Sequence, residues 1–490
     1  MSDTAVPFRP EARSPRGFQD RRARDLRAER AILTAVSAVY ERYGFEQLDT
    51  PAFEYADALG KFLPDSDRPN EGVFALQDDD EQWMALRYDL TAPLARFAAQ
   101  TWETLPKPFR RYAFGTVWRN EKPGPGRFRE FIQCDADTVG SARPEADAEI
   151  IAMAVEGLQA AGLPRGSAAI KINNRKLLNG LLSAAGVSDN GQKLAVLRAV
   201  DKLDRLGPDG VRLLLGEGRK DESGAFTKGA GLTAKGIESV LAYTAAGAGS
   251  RADTLAKIAN VIGGSAEGDE GLADLARIDA ALKGLGVAED QAAFDPSVVR
   301  GLEYYTGAVF EAELLLETVD EKGERVRFGS VGGGGRYDDL VARFTGERTP
   351  ATGFSFGVSR LASALRAAGR EAAATTRGPV VVIAFSEANM ADYFSIAGEL
   401  RAGGIAAEVY LGQSGMKAQM KYADRRLSPA AVIVGDDELA AGTATVKDLD
   451  LGRELASKVS DNQAWRAERP GQATIPRAEL VPHIRRILEG

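Results

Sequence analysis

Two alternating stretches, "RRYAFGTVWRNE" (110–121) and "RFREFIQCDADTVG" (127–140), are joined by only five residues, "KPGPG". A connection that short cannot carry a crossover to a parallel neighbour, so the stretches pair as an antiparallel hairpin turned by its prolines and glycines. Shorter strand-like pieces, "GVFALQD" and "QWMALRYDL", precede the hairpin, and helical segments flank it. Within 20–43, Leu26, Leu33, Val36, Tyr40 and Tyr43 recur at steps of three, four or seven, which is one helix face. Gly44 stops that helix, and "FEQLDTP" follows as a strand ended by Pro51. The expected fold class is α+β, an antiparallel sheet with helices packed against it.

The returning strand is unusual. Arg127, Arg129, Gln133, Asp135 and Asp137 leave both of its faces partly polar, where a strand of period two should turn one face to the core. At 490 residues the chain exceeds what one core organises, so more than one domain is expected. Residues 1–13 read as a tail and 14–370 as the main domain, interrupted by a helical insertion over 188–290 that is rich in Gly, Ala, Lys and Asp. A linker over 371–378 leads to 379–490, where apolar strands such as "VVVIAF" and "AAVIVG" alternate with helices. That rhythm predicts a small α/β domain with a mostly parallel sheet.

One cysteine, Cys134, and one histidine, His483, exclude an internal disulfide, a Cys/His zinc cluster and imidazole-based nucleophilic catalysis. Cys134 is expected to be a small buried apolar residue and His483 a helix-end or surface one. The N-terminus has no apolar signal region and no run is long enough to span a bilayer, so a cytoplasmic protein with no membrane partner is expected. The net charge of −8 argues against nonspecific coating of nucleic acid but leaves room for a local basic groove. There is no P-loop, and "VGGGGRYDD" fails the dinucleotide pattern because Tyr337 holds the last glycine's place.

Chemistry must then rest on arginine, carboxylates and hydroxyls, with a metal expected beside them. "GTVWRNEKPGPGRFREF" carries Arg119, Glu121, Arg127 and Arg129 around the turn; "VVRGLEYYTGAVFE" sets Arg300 beside Tyr304 and Tyr305; "ATGFSFGVSRLASAL" runs from a strand into a helix whose first turn carries Arg360. Taken singly, such arginines are surface charges or structural ion pairs, and the tyrosines are core packing. Together with the preceding helix, strand and Pro51, these segments resemble the three motifs of the class II aminoacyl-tRNA synthetases. "RGLEYYTGAVFE" and "GGGRYDDLV" are similar to the two signature segments of the histidyl family, and "TATVKDLDLG" extends the likeness into the C-terminal domain.

The resemblance implies a class II antiparallel catalytic sheet with an anticodon-binding α/β domain, and a histidine–tRNA ligase that uses ATP and Mg2+ and works as a homodimer on L-histidine and tRNA(His). It implies an amino-acid pocket of Asp89, Leu90, Thr91, Arg119, Gln133, Asp137, Arg300, Tyr304, Tyr305 and Tyr337. Asp137 and Tyr305 would hold the two imidazole nitrogens, Asp89 and Thr91 the α-ammonium, and Gln133 the ammonium or carboxylate end. Arg119, Glu121, Arg127 and Arg360 would hold ATP, with Arg119, Arg300 and Arg360 catalytic; no metal ligands are assigned. Because the attacking carboxylate is already ionised, no general base is needed, only positioning and neutralisation, for which the arginine fork is suited.

Two departures stand out: Ser359 precedes Arg360 where the family usually has glutamate, and the insertion is long. In the C-terminal domain Lys417, Lys421, Arg425 and Arg426 form either a phosphate-binding stripe or a solvated helix face. The alternative to a ligase is a non-catalytic relative, the regulatory subunit of ATP phosphoribosyltransferase, which typically lacks the second domain. A general RNA-binding scaffold is the third class.

Overall fold

The computed structural model describes residues 9–59, 72–124, 128–220, 224, 226–247, 249–262, 264–299, 305–316, 318–319, 325–326, 329–370, 377–456 and 471–489. They form two compact units, Met1–Ala372 and Ala373–Gly490.

The first unit is built on an eight-stranded sheet. Its strands are β1 (Glu46–Gln47), β5 (Phe109–Trp118), β6 (Glu130–Val139), β7 (Ala168–Asn174), β10 (Ala292–Phe294), β11 (Ala308–Leu314), β14 (Ser330–Arg336) and β15 (Ala351–Gly357), in the order β1-β5-β6-β15-β14-β11-β7-β10. All neighbours are antiparallel except the two outermost pairs, β1 with β5 and β10 with β7. The α+β expectation holds. The short pieces before the hairpin do not join this sheet: β2 (Phe53–Tyr55), β3 (Ala75–Gln77) and β4 (Trp83–Leu86) form their own three-stranded sheet. The free edge of β5 is already taken by β1.

The polarity of β6 is resolved by its register. Ile132, Cys134 and Ala136 pack into the main core together with Val36 of α1 (Ala23–Arg42), Ile151 of α3 (Pro144–Ala160) and Leu361 of α11 (Val358–Ala367). Gln133, Asp135 and Asp137 alternate with them and share the opposite face. The polar residues 127, 129, 133, 135 and 137 are all odd-numbered, so period two puts them on a single face; the other face is mainly apolar, with Glu130 and Thr138 at its ends. Cys134 is fully buried, as expected. The same polar face carries Gly353, Ser355 and Gly357 of β15 and Gly333 and Gly335 of β14, each placed by the cross-strand register. Glycine at these positions leaves bare backbone as a floor.

Between β7 and β10 lie α4 (Arg175–Ala184), α5 (Asn190–Val200), α6 (Leu203–Leu215, broken at Gly207 and Pro208), a ribbon of β8 (Gly218–Lys220) and β9 (Phe226–Lys228), α7 (Ala234–Thr244), α8 (Arg251–Ile262) and α9 (Ala266–Gly284). Their apolar residues, Leu214, Val240, Ile258 and Leu275 among them, belong to the same core cluster as the sheet. Helix α2 (Thr91–Thr101) covers the other end of the sheet with Leu94 and Ala98, against Phe109, Val139 and Tyr337.

The second unit has strands β16 (Val380–Ile383), β17 (Ala407–Val409), β18 (Ala430–Ile433), β19 (Thr443–Asp448) and β20 (Gln472–Pro476), ordered β17-β16-β18-β19-β20. Only β17, β16 and β18 are parallel; β19 and β20 run antiparallel, so the sheet is mixed rather than mostly parallel. The link from β18 to β19 holds just the short helix Asp436–Ala441, too little chain for a crossover. Val380 and Val382 face one core, Val381 and Ile383 another, which accounts for the unbroken apolar run. On the helix Met416–Arg425, Lys417, Lys421 and Arg425 are exposed at steps of four, whereas Arg426 is held by both oxygens of Glu408. His483 is half-buried in the helix Leu480–Glu489.

Candidate active site

The chemistry of the polar face begins with a buried pair. Arg111 of β5 lies opposite Asp137 of β6, and its Nη2 sits 3.0 Å from Asp137 Oδ2. Both side chains are almost wholly buried. The same Nη2 donates to the Leu90 carbonyl at 2.8 Å, which ties the Asp89–Thr91 turn to the sheet. The other carboxylate oxygen, Asp137 Oδ1, accepts the Tyr337 hydroxyl. An ionised carboxylate offers about four lone-pair sites, so Asp137 keeps acceptor capacity beyond these two partners. Burial raises the Asp137 pKa, and Arg111 and the Tyr337 hydroxyl pull it back. Burial opposes the charge on Arg111, but Asp137 and Asp135 outweigh it and hold its pKa up.

The glycines have a direct role here. A Cβ on Gly353 would fall well inside contact distance of Asp137 Oδ1, and one on Gly335 would come within 2.9 Å of the Tyr305 ring. Tyr305 is half-buried against the cluster that holds Tyr337 and Leu94. Further along β6, Gln133 Nε2 donates to Ser355 Oγ at 3.0 Å, and Ser355 stands opposite Asp135 in the strand register. Burial, then the neighbouring charge of Asp137, pushes the Asp135 pKa up to about 8.

Around this floor stand the remaining residues. Asp89 Oδ1 accepts the backbone N–H groups of Thr91 at 3.2 Å and Ala92 at 2.9 Å, capping α2. Burial raises its pKa, while those hydrogen bonds and Arg119 lower it. Arg119 donates from Nε to the Tyr88 carbonyl at 3.2 Å, and its guanidinium lies 5.2 Å from the centre of the Phe131 ring. The backbone carbonyl of Glu121 accepts Arg129 Nε at 2.9 Å. Arg360 is exposed in the first turn of α11. Beside it, Ser359 Oγ donates to Glu29 Oε1 at 2.7 Å and accepts the Ile132 N–H at 3.2 Å. A carboxylate thus stands next to position 359 in space, supplied by α1. Arg127, Arg300 and Tyr304 lie outside the described residues.

The structure gathers Asp89, Leu90, Thr91, Arg119, Gln133, Asp137, Tyr305 and Tyr337 around one end of the sheet. It adds four residues that the sequence reading did not single out as site residues: Arg111, Asp135, Ser355 and Glu29. A signal for Arg111 existed, since two carboxylates on one strand face call for a cation on the neighbouring strand. A concavity of about 660 Å3 lies elsewhere, lined by Phe53, Glu54, Tyr55, Met84 and Phe344 on the small sheet and the segment after β14.

The pattern of the family described as Histidyl-tRNA synthetase matches residues 17–361, and that of the Anticodon binding domain matches 379–467. A histidine–tRNA ligase of Caulobacter vibrioides is 78% identical over 99% of this chain and 98% of its own, and one of Brucella suis biovar 1 is 56% identical over 100% and 98%. Among solved structures, the histidyl-tRNA synthetase of Nostoc sp. PCC 7120 superposes with a TM-score of 0.71 at 28% identity, covering 98% of this chain and 100% of that one. A surface of buried carboxylates and arginines over a glycine floor, matched along the whole length to such relatives, leaves one assignment: the chain belongs to the histidyl-tRNA synthetase family.

Proposed function

We propose that the glycine-floored face carries out the two steps of a histidine–tRNA ligase. Histidine's α-carboxylate attacks the α-phosphate of ATP and pyrophosphate leaves; the terminal ribose hydroxyl of tRNA(His) then attacks the histidyl-adenylate and AMP leaves. The observation that carries this reading is the Arg111–Asp137 pair and Gln133 on the sheet face that also carries Gly333, Gly335, Gly353 and Gly357. The full-length relatives support the ligase over a regulatory relative.

In this division of labour Asp137 and Tyr305 take the two imidazole nitrogens. Arg111 and Tyr337 orient the Asp137 carboxylate and oppose the burial that raises its pKa, so an analogue lacking either nitrogen leaves a buried group unpaired, a penalty that reaches ~10⁴-fold in sites of this kind. Tyr304 and Tyr337 close the pocket, and Asp89, Leu90, Thr91 and Gln133 surround the amino-acid end. Arg119 bridges the carboxylate and the α-phosphate, Arg300 takes the opposite side, and Arg360 the γ-phosphate. Glu121 and Arg127 belong to the ATP side. Arginine serves because it stays protonated and grips both anions bidentately.

Magnesium enters on the ATP phosphates. Among the described residues no three Asp, Glu, His or Cys side chains converge to hold an ion of their own; magnesium would be carried by the phosphates and supply charge neutralisation there. The second unit reads the anticodon, with Lys417, Lys421 and Arg425 set towards the tRNA backbone. Exposed Phe53, Tyr55, Trp83 and Phe344 near the 660 Å3 concavity support a homodimer. Among the described residues no helix is long and apolar enough to cross a membrane, and the reading places the enzyme in the cytoplasm. Exchange of labelled pyrophosphate into ATP tests the proposal: histidine alone among the twenty amino acids should support it without tRNA. Histidine binding with no exchange would instead mean a regulatory protein.

A further inference from the structure

The hairpin of β5 and β6 runs beyond the strands that flank it. β15 leaves β6 at Gln133 and β1 leaves β5 at Tyr112, so Arg119 and Arg129 pair with each other past both neighbours: the Arg119 N–H donates to the Arg129 carbonyl at 2.9 Å. A two-stranded ribbon is marginal in water unless something packs against it. This one carries Arg119 and Glu121, which the scheme above assigns to ATP. Part of what holds it is a segment that the scheme does not use, residues 15–18, ahead of α1.

Those residues form a turn closed by the Phe18 N–H on the Pro15 carbonyl at 3.0 Å, with Gly17 at φ +84°, the left-handed conformation that favours glycine. The Gly17 carbonyl accepts the Arg129 N–H at 2.9 Å. A Cβ on Gly17 would come within 2.8 Å of Arg129 Cγ and 2.9 Å of its Cδ, so the stem of the arginine lies against the glycine. From there Arg129 Nε donates to the Glu121 carbonyl at 2.9 Å, and the guanidinium lies 5.9 Å from the centre of the Phe74 ring. Phe18 packs on that same ring, 5.7 Å between centres, which closes the circuit. The outgoing leg is held as well, since the Asn120 N–H donates to the Gly72 carbonyl at 3.2 Å.

Gly17 bonds the backbone of Arg129, and Arg129 bonds the backbone of Arg119 and Glu121. These contacts fix where the chain that carries Arg119 and Glu121 runs. Placement matters, because a shift of about 1 Å in a positioning group can cost about 10²-fold in rate. We infer that Gly17 and Arg129 are positioning residues for the ATP side of the site, and that the turn at 15–18 is the brace through which they act. The assignment rests on the ligase reading of this face.

Histidine-dependent pyrophosphate exchange by the full-length protein tests the brace. Arg129→Ala should lower kcat/KM for ATP by about 10- to 100-fold, and Arg129→Lys, which keeps a cation near Phe74 without the Nε–H bond to Glu121, should fall between that variant and the unaltered protein. Histidinol keeps the ring and ammonium but lacks the carboxylate that Arg119 would grip. Its affinity in isothermal titration should stay within about twofold for every variant, which also shows that each one folds. Gly17→Ala should lower kcat/KM for ATP too, but its methyl meets the Arg129 stem, so adding it to Arg129→Ala should cost much less than it does alone. Equal losses for ATP and histidinol, no loss at all, or single effects that simply multiply in the double variant would each overturn the assignment. Absence of exchange by the unaltered protein would overturn the ligase reading itself and this assignment with it.

Discussion

Ser359 on α11 donates its hydroxyl to Glu29 of α1 across 2.7 Å, joining residues 330 apart in the chain. Glu29 is buried, and its other oxygen accepts Arg21 at 3.0 Å. Ser359 Oγ also accepts the N–H of Ile132, the residue before Gln133. One small junction therefore links α1, β6 and the helix turn that carries Arg360.

Removing the hydroxyl tests that junction. Ser359→Ala leaves Glu29 Oε1 buried without this partner and should lower stability by about 1–3 kcal/mol in urea unfolding. If Arg360 grips the γ-phosphate, the KM for ATP should rise several-fold while histidine affinity stays within about twofold, as for a positioning contact. A larger effect on histidine than on ATP would place the junction's influence on β6 instead.

Two glycines of β15 should respond differently. Gly353→Ala drives a methyl into Asp137 Oδ1 and should destabilise the fold by about 1–3 kcal/mol and weaken histidine binding. Gly357→Ala meets only ordinary contacts, 3.6 Å to the Val331 carbonyl and 3.7 Å to Arg360 Cβ. Its melting temperature should stay close to that of the unaltered protein. A rise in substrate KM without loss of stability would show that the bare backbone at Gly357 serves the ligand; unchanged kinetics would remove it from the floor.

The titration of Asp135 predicts a pH trend. Its pKa lies near 3.8 in the unfolded chain and is pushed up to about 8 in the fold, by burial first and Asp137 second. Between those values the folded state binds more protons than the unfolded one, so this residue's contribution to stability falls as pH rises, and levels off above about 8. Asp135→Asn removes the dependence. The stability difference, variant minus unaltered protein, should therefore grow from pH 5 to pH 8 in denaturant titrations without ligand. A difference that stays flat from pH 5 to pH 8 would mean that Arg111 keeps Asp135 ionised throughout.

The apolar patch bears on assembly. Trp83 and Phe344 are 43% and 38% exposed. If the unaltered protein sediments as the homodimer proposed above, Trp83→Glu combined with Phe344→Glu should shift it to monomer without loss of helical signal, and an unaltered protein that sediments as a monomer would remove the proposed dimer. A dimer unaffected by both charges would put the interface elsewhere.

Much of this protein is legible in its sequence because the relevant signals are local. The "KPGPG" turn predicts the hairpin, the heptad-like steps from Leu26 to Tyr43 predict α1, and the period of two puts Gln133 and Asp137 on one face. The family follows from ordered motifs along the chain. The one-sidedness of β6 is legible too, since its polar residues at 127, 129, 133, 135 and 137 are all odd-numbered, whereas the β18–β19 reversal is not, because connection length outweighs the α/β rhythm.

What the tertiary structure alone decided are the partners. The pairing of Arg111 with Asp137 depends on strand register, the fixing of Gln133 by Ser355 on the fit of β15 against β6, and the Glu29–Ser359 contact on how α1 packs beside α11. Periodicity states which way a side chain faces, because that is set by its own backbone. It does not state what the side chain meets, because that is set by the burial of residues hundreds of positions away.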